Sequence, residues 1–418
     1  MHRHLFSLPA SPIYLSGASR SPLPRSVLTV GVRALRRKEE TPWSITSPGN
    51  ENIEEQARVM WSKLLNTPGG ANDLALAPSC SYAISVPANV LFSSGKIRPN
   101  DIILVLSDQM SSNVYPWQHL AKRTGAKLHA VKLDDFSSSS WTEAVIVEME
   151  SGRVKVVAVP NVHWCDGALL NLERIGACCR SKGAMLVVDA TQSLGAFPLD
   201  VQKVQPDFLA ASSHKWLMGP YGVCLLYVAA QWQQHDCAVP LEHHEHNRFG
   251  ADGDVCLEMQ DDLVDVNGAN VSNGGGTTGY EERFKSGARK FDSGGRPNPV
   301  LLPMVVEGLR HVLAWNPEQV HISLSKMTNI IQIAAKELGL VTPKEHAGHI
   351  LGISALNDPE WSDRCSSYLK SKGIIIASRF GHLRVAPHVY NTPVEISTFC
   401  SVLKEFVEQQ QQHANAKL

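Results

Sequence analysis

The sequence predicts an α/β protein with a mainly parallel sheet in a large domain and a smaller α+β domain. Three observations lead to this fold class. Short apolar runs alternate with polar loops and helical patterns up to about residue 300, as in a parallel sheet with covering helices. Several of these runs end in polar or reactive side chains, which is typical of buried strands that present chemistry at one sheet edge. From residue 301 helices and short strands are mixed.

Length and composition set the limits of the prediction. A chain of 418 residues exceeds the usual size of one hydrophobic core. We expect a large domain over 46–300 and a small domain formed by 1–45 and 301–418. A formal net charge of −1 gives no indication of nucleic acid or a membrane surface as a partner, and no apolar run reaches the ~20 residues of a membrane span. Nine cysteines without a C-x-x-C pair argue against a disulfide framework and a zinc ribbon.

The elements are predicted in chain order from periodicity and from turn residues. The predicted helices cover 56–65, 82–91, a segment that begins at 116–118, 172–182, 305–315, 329–338 and 360–372. The predicted strands cover 73–77, 101–106, 154–159, 185–188, 208–211, 223–228, 349–355, 374–378 and 383–385.

The stretch 184–228 brings a lysine and an acid together. Asp189 ends one apolar run, and Lys215 lies between another run and a Gly/Pro turn. Desolvation at such a position lowers the pKa of a lysine and makes its amine nucleophilic, so that it can condense with an aldehyde cofactor. Pyridoxal 5'-phosphate (PLP) needs an acid beside its ring nitrogen, because a protonated pyridinium is the electron sink. Alone, each residue is more often a surface lysine or a strand-end aspartate; the pair is more specific.

The pattern D-A-T-Q-S-x-G, followed by S-S-H-K, a Gly-Pro turn and G-V, resembles the class V aminotransferase family of PLP enzymes. This family includes cysteine desulfurases, selenocysteine lyases, kynureninase-like enzymes and isopenicillin N epimerase-like proteins. The resemblance implies PLP-dependent transferase fold type I with a seven-stranded-type sheet. It also implies that Lys215 holds PLP as an aldimine and that Asp189 is the pyridinium partner. Gln192 would donate to the phenolic oxygen of the cofactor, and Ser212 and His214 match phosphate ligands.

Further cofactor contacts are implied by matches elsewhere in the chain. Cys80 and Ser81 match a phosphate-gripping loop, although small polar residues there also serve as a helix N-cap. Asn161 matches an asparagine beside the cofactor oxygen. Met110 occupies the region where desulfurases stack a histidine on the pyridine ring; a core methionine is the alternative. Arg296 lies in a segment that reaches the phosphate of the neighbouring subunit in relatives, which implies a homodimer, unless it is a surface arginine.

The substrate side follows from the same resemblance. Arg384, in R-V-A-P-H-V-Y-N-T, matches the arginine that binds the α-carboxylate of an amino-acid substrate. The N-terminal segment is expected to wrap onto the C-terminal domain and to bring Ser16 to Ser19 near the substrate. His163 and Trp164 follow the strand 154–159; His163 is a candidate catalytic residue and Trp164 a candidate substrate contact, with strand-end packing as the alternative for each.

Two segments carry weaker predictions. Residues 242–287 are expected to form a mobile loop, which could be a lid over the active site. The histidines of Glu242–His246 are interpreted as a solvated surface patch, so no metal site is expected. The first 38 residues lack Asp and Glu, a weak transit-peptide feature. We expect a cytoplasmic location, with an organellar one as the alternative.

The reaction is the least determined part of the prediction. Transamination, epimerisation and β-elimination share their first steps on PLP. Desulfurases add a nucleophilic cysteine in the loop before the carboxylate-binding arginine, yet this chain has no cysteine between Ser371 and Arg384. We therefore predict a C–S or C–Se lyase without a protein persulfide. An aminotransferase, an epimerase and a non-enzymatic PLP-binding protein are the alternatives.

Overall fold

The computed structural model describes residues 2–45, 52–133, 135, 137–150, 152–249, 281–295 and 297–415, with side chains up to 412. Its strands, in chain order, are β1 (Ile13–Tyr14), β2 (Leu74–Ala77), β3 (Ile102–Leu106), β4 (Lys127–Val131), β5 (Val154–Pro160), β6 (Met185–Asp189), β7 (Phe208–Ser212), β8 (Cys224–Val228), β9 (Leu351–Ile353), β10 (Ile374–Ile375), β11 (Ala377–Arg379) and β12 (His382–Val385).

The α-helices cover Arg25–Glu40, Ile53–Leu65, Cys80–Ser94, Tyr115–Thr124, Trp141–Met149, Leu172–Lys182, Val201–Val204, Ala230–Gln233, Leu301–Trp315, Pro317–Glu337, Trp361–Ser371 and Pro393–Asn415. Short 3-10 turns lie at Arg3–Leu5, Pro42–Ser44, Gly70–Asp73, Ser111–Asn113, Glu245–Asn247 and Gly287–Phe291. Among the described residues, none of these helices combines the length and the apolar character that a membrane crossing requires.

The central sheet confirms the predicted α/β class. Its seven strands lie in the order β2-β8-β7-β6-β5-β3-β4, and only β8 runs antiparallel to its neighbours. Strands β6, β7 and β8 are buried along their whole length, because both faces of the sheet are covered. The register pairs Pro160 with Asp189 and Asp189 with Ala210. The carboxyl ends of β5, β6 and β7 therefore meet at one edge.

The N-terminal segment lies on the C-terminal part of the chain, as predicted. Strand β1 pairs in parallel with β10, and Ser16 forms an isolated bridge with Ala386. A second small sheet joins β11, β12 and β9 in antiparallel order. The division into a large and a small domain at residues 45 and 300 stays a prediction.

A two-residue turn separates β11 from β12. Arg379 pairs with His382, and the turn residues Phe380 and Gly381 have φ angles of 48° and 80°. Positive φ at both central positions is the geometry of a type I′ hairpin. The chain therefore has no room for a flexible loop directly before Arg384, as the sequence indicated.

The sequence patterns missed the helix Arg25–Glu40, strand β4, the helices Trp141–Met149 and Pro393–Asn415, and the short helices Val201–Val204 and Ala230–Gln233. The first buries only Val27 and Gly31, and β4 is an edge strand with one fully buried residue. Weak burial leaves a weak hydrophobic period. The helix Pro317–Glu337 also begins twelve residues before the predicted start at 329.

Candidate active site

A pocket of about 380 Å³ opens at the carboxyl ends of β5, β6 and β7. Many of the residues predicted for cofactor and substrate binding line it together, namely Cys80, Ser81, Met110, Trp164, Asp189, Gln192, Ser212, His214, Lys215 and Arg384. Residues that are up to 304 positions apart in the sequence thus share one cavity, which lies where ligands bind in open α/β sheets.

Lys215 and Asp189 lie in the same cavity with opposite charges. Asp189 is 7% exposed at the end of β6, and its Oδ1 accepts a hydrogen bond of 2.9 Å from the backbone N–H of Thr191. Burial lowers the pKa of Lys215 to about 8, although the carboxylate of Asp189 acts in the opposite direction. A lysine with this pKa has a substantial neutral fraction near pH 7 and is therefore a competent nucleophile and base.

Gln192 connects the sheet edge to the N-terminal segment. Its Nε2 donates to the backbone oxygen of Ala18 at 3.1 Å, and its Oε1 accepts from Nε1 of Trp216 at 3.0 Å. An amide nitrogen carries two hydrogens. One N–H of Gln192 thus has no partner among the described residues, and the donor role predicted for it stays a prediction.

The opposite wall of the pocket is suited to an anion. The helix Cys80–Ser94 begins there, with Ser79 as its N-cap accepting from the backbone N–H of Tyr82 at 3.1 Å. The hydroxyl groups of Ser79 and Ser81 are 3.0 Å apart. Hydroxyl groups and free backbone N–H groups at a helix start stabilise a negative charge. The cap and the anion site are therefore compatible features of one turn.

His214 and Ser212 approach the pocket from the end of β7. The ring of His214 stacks on that of Tyr221 with centroids 4.0 Å apart. Burial lowers the pKa of His214 to about 4, with a further contribution from Lys215, so the imidazole is neutral at physiological pH. The backbone N–H of Ser212 donates to Oγ1 of Thr191 at 3.2 Å. Its hydroxyl remains for a ligand.

Arg384 is a buried guanidinium without an acidic partner among the described residues. It is 1% exposed; NH1 donates to the backbone oxygen of Trp164 at 2.7 Å, and NH2 donates to Oγ of Ser19. Burial, and after it the positive charge of Arg379, lower the pKa of Arg384 to about 10. A buried cation of this kind requires an anion. Ser16 does not line the pocket; its hydroxyl donates to Ser19 at 3.0 Å and supports Arg384 indirectly.

The structure does not bring His163 to the pocket, contrary to the sequence prediction. Its Nδ1 lies 3.1 Å from Oδ1 of Asp166, and its Nε2 lies 3.2 Å from the backbone oxygen of Ser107. Burial alone would lower its pKa, but the charge and hydrogen bond of Asp166 outweigh this effect and raise it. With both nitrogens bound to acceptors, the ring is a cation that fixes the loop after β5. It has no free nitrogen for proton transfer to a substrate.

Three other predicted residues have different outcomes. Asn161 does not line the pocket; its Nδ2 donates to the backbone oxygen of Leu170 at 3.3 Å. Met110 does line it and is 41% exposed, so it is not a core methionine. Arg296 lies outside the described residues, as do residues 250–280 of the predicted mobile loop.

Sequence reasoning missed Arg20 and Arg379, which also line the pocket. The available signal for Arg379 was its place five residues before Arg384, next to a Phe-Gly turn that could have been recognised as a hairpin. Ser19, which lies in the segment predicted to approach the substrate, lines the pocket. Arg20 follows directly on that segment, but no pattern distinguished it from other polar loop residues.

A second group of polar side chains lies apart from this pocket. Ligand atoms of Glu54, His246 and Asp292 lie within 4.8 Å of one another, and Nε2 of His246 is 3.1 Å from Oε1 of Glu54. Arg58 lies 2.5 Å from Oδ2 of Asp292. The guanidinium already supplies the positive charge that these carboxylates need. The prediction that Glu242–His246 is not a metal site remains a prediction.

Comparison with known proteins gives a consistent result. A family model described as "Aminotransferase class-V" matches residues 13–238. A probable cysteine desulfurase from Pyrococcus abyssi (strain GE5 / Orsay) is 26% identical over 363 residues, which cover 85% of this chain and 83% of the relative.

Two solved structures of the cystine C–S lyase C-DES have the same fold. One is a mutant with glycine covalently linked to the PLP cofactor; it is 16% identical, with a TM-score of 0.77 over 96% of this chain and 99% of that chain. The other is the complex with the reaction product cysteine persulfide; it is 16% identical, with a TM-score of 0.76 over 94% of this chain and 97% of that chain. The fold is therefore that of PLP-dependent fold type I.

Proposed function

Because the chain belongs to the class V aminotransferase family, we propose that it is a C–S or C–Se lyase that acts on a cysteine-like amino acid by β-elimination. Membership of this family makes the chain a PLP-dependent enzyme. The proposal adds that the sulfur or selenium leaves without passing through a protein persulfide. One observation carries it: among the described residues the pocket offers a single cysteine, the buried Cys80, and the two-residue turn before Arg384 has none.

The residues of the pocket fit PLP. Lys215 supplies an amine with a lowered pKa, and Asp189 supplies a carboxylate in the same cavity. The anion wall at Ser79 and Ser81 would hold the phosphate together with Ser212, and Gln192 has one uncommitted N–H. When bound, PLP supplies an electron sink for bond breaking at Cα.

In the proposed reaction each step beyond that sink belongs to a protein group. Arg384 binds the α-carboxylate, because a buried guanidinium forms a strong bidentate pair with a carboxylate. Nζ of Lys215 takes the proton from Cα. The Cβ–S bond then breaks, with its electron pair leaving on sulfur, and hydrolysis of the remaining fragment gives pyruvate and ammonia. Asp189 would be the acidic partner of the cofactor's ring nitrogen.

The state of the cysteines argues against a persulfide. Of the eight cysteines that the structure describes, Cys80 alone lines the pocket. Its hydrogen bond with Cys224 and its burial raise the pKa of the Cys80 thiol well above the usual value. A protonated thiol is a poor nucleophile. The short β11–β12 turn carries no cysteine, so that segment offers none in its place. Cys256, the ninth, lies outside the described residues.

The proposal is tested by supplying the holoenzyme with S-conjugates of cysteine and selenocysteine and analysing all products. We expect pyruvate and a released thiol or selenol, with neither amino transfer to a ketoacid nor racemisation as the main reaction. Cys80→Ser and Cys256→Ser should both retain turnover. Loss of turnover in Cys256→Ser, with the visible absorbance of bound PLP preserved, would establish a persulfide mechanism instead.

The alternatives correspond to other products of the same assay. Exclusive formation of a ketoacid by amino transfer identifies an aminotransferase, and exclusive inversion at Cα identifies an epimerase. A protein that binds PLP but converts no amino acid is a non-enzymatic binding protein. The set of Lys215, Asp189 and Arg384 in one pocket supports the lyase proposal, because each of these groups has a chemical step in it.

Assembly and location also belong to the proposal. We expect a homodimer, on the ground that the segment around Arg296 resembles the one that reaches across the interface in relatives. Sedimentation of the PLP-loaded protein as an active monomer would refute this. A cytoplasmic location is kept from the sequence and can be checked by imaging the tagged chain.

A further inference from the structure

We infer that the pocket selects amino acids with a second anionic group on the side chain, and that Arg379 is the residue that binds it. This inference rests on the proposed function, since it concerns the substrate of the same site. It names a class of substrate that the family resemblance does not specify.

The charge of the pocket is the first observation. Among the described residues that line it, Arg20, Lys215, Arg379 and Arg384 are basic, and Asp189 is the one acid. The charge of Asp189 interacts with that of Lys215, so one carboxylate faces several cations and leaves the charges of the arginines uncompensated. No described acidic side chain lies within ion-pair distance of Arg379 or Arg384. An enclosed site with this excess of positive charge concentrates anionic ligands.

The second observation is the position of the two arginines relative to Trp164. The guanidinium carbon of Arg384 lies 5.7 Å from the ring centroid, and that of Arg379 lies 5.9 Å from the same centroid. Less than about 12 Å therefore separates the two cations. Both cations thus border one ring, so a substrate whose α-carboxylate pairs with Arg384 at an N···O distance of up to about 4 Å has Arg379 within the separation of these two cations for an anionic group on its side chain.

The third observation is that Arg379 is held but not satisfied. Its NH1 donates to the backbone oxygen of Ser378 at 2.7 Å, and the two-residue turn after it fixes its strand. The ring of Phe380 packs edge-on against Trp164 with centroids 5.9 Å apart. The remaining guanidinium N–H groups of Arg379 have no hydrogen-bond partner within the part of the chain that the structure describes. Arg384 is positioned by its bonds to Trp164 and Ser19, and its Nε has no partner among the described residues, so it takes the α-carboxylate in the proposed function. The two arginines thus have separate tasks.

The test compares matched acid and amide ligands on the holoenzyme. Dissociation constants for L-glutamate against L-glutamine, and for L-aspartate against L-asparagine, are obtained from the change in PLP absorbance. We expect the wild type to bind at least one acid about tenfold or more tightly than its amide. Arg379→Gln should reduce that ratio to about one while leaving the amide constants unchanged, and Arg379→Lys should retain part of it.

Arg123→Gln is the matched control, because the Arg123 guanidinium also stacks on an aromatic ring, that of Phe92 at 3.4 Å, but does not line the pocket. It should keep the wild-type ratio. Equal binding of acid and amide by the wild type, or a ratio that survives in Arg379→Gln, would overturn the inference alone. Absence of any absorbance change with every amino acid would overturn the proposed function and this inference with it.

Discussion

The amine of Lys215 should destabilise the cofactor-free protein, and replacing Lys215 by methionine should therefore stabilise it. Burial lowers the pKa of this lysine from 10.5 to about 8. Between these values the native state binds fewer protons than the unfolded state, so the free energy of unfolding rises with pH. The penalty is fully present below about pH 8 and disappears above the unfolded pKa.

The size of the effect follows from the two pKa values. At 1.36 kcal/mol for each pKa unit, the protonated lysine costs the native state about 3 kcal/mol at pH 7. At pH 10.5 the remaining cost is below about 0.5 kcal/mol. Methionine has a similar length and no charge, so Lys215→Met should exceed the wild type by about 3 kcal/mol at pH 7, and this pH-dependent part of the difference should nearly vanish at pH 10.5.

Urea unfolding of both cofactor-free proteins at the two pH values measures this difference. Lys122→Met is the control, because Lys122 is exposed on the helix Tyr115–Thr124 and its replacement should give no such pH dependence. The reasoning is refuted if Lys215→Met and the wild type unfold at the same urea concentration at pH 7, or if their difference does not shrink at pH 10.5.

Three further predictions concern binding and stability. Arg384→Gln should weaken substrate binding by about 2–5 kcal/mol, which is a rise in KM of roughly 30-fold or more with a smaller change in kcat; an unchanged KM would contradict the carboxylate role. Asp166→Asn leaves the buried ring of His163 without its carboxylate and should destabilise the protein by about 3–5 kcal/mol. The pKa of Asp166 is lowered and that of His163 is raised in the native state. The loss of unfolding free energy should therefore be greatest between pH 3.8 and 6.5 and should diminish as pH rises through the folded pKa of the histidine. Urea titrations at several pH values measure this loss. Gly308→Ala places a Cβ 2.7 Å from the backbone oxygen of Leu217; we expect a loss of about 1–3 kcal/mol in the same assay, although alanine is the better helix former.

The chemistry at the ends of the central strands was predictable from the sequence. Asp189 ends one buried apolar strand and Lys215 lies shortly after another, and the carboxyl ends of parallel strands meet at one edge whatever the intervening loops do. Their proximity therefore follows from local patterns and from the topology rule. Most of the residues named for the cofactor line one pocket for the same reason.

Only the tertiary structure shows how the residues on the substrate side of the pocket are positioned. Pairing of β1 with β10 brings Ser19 to Arg384 across more than 360 residues, and no local period encodes that register. His163 follows its strand as Asp189 does, yet its ring turns to Asp166 and Ser107, because the bend of the loop after β5 decides which acceptors it meets. Arg379 enters the pocket only because a two-residue turn aligns β11 with β12. The position of a strand end follows from the local sequence pattern. The direction of a side chain in a loop or across a sheet depends on contacts that form only when distant segments pack.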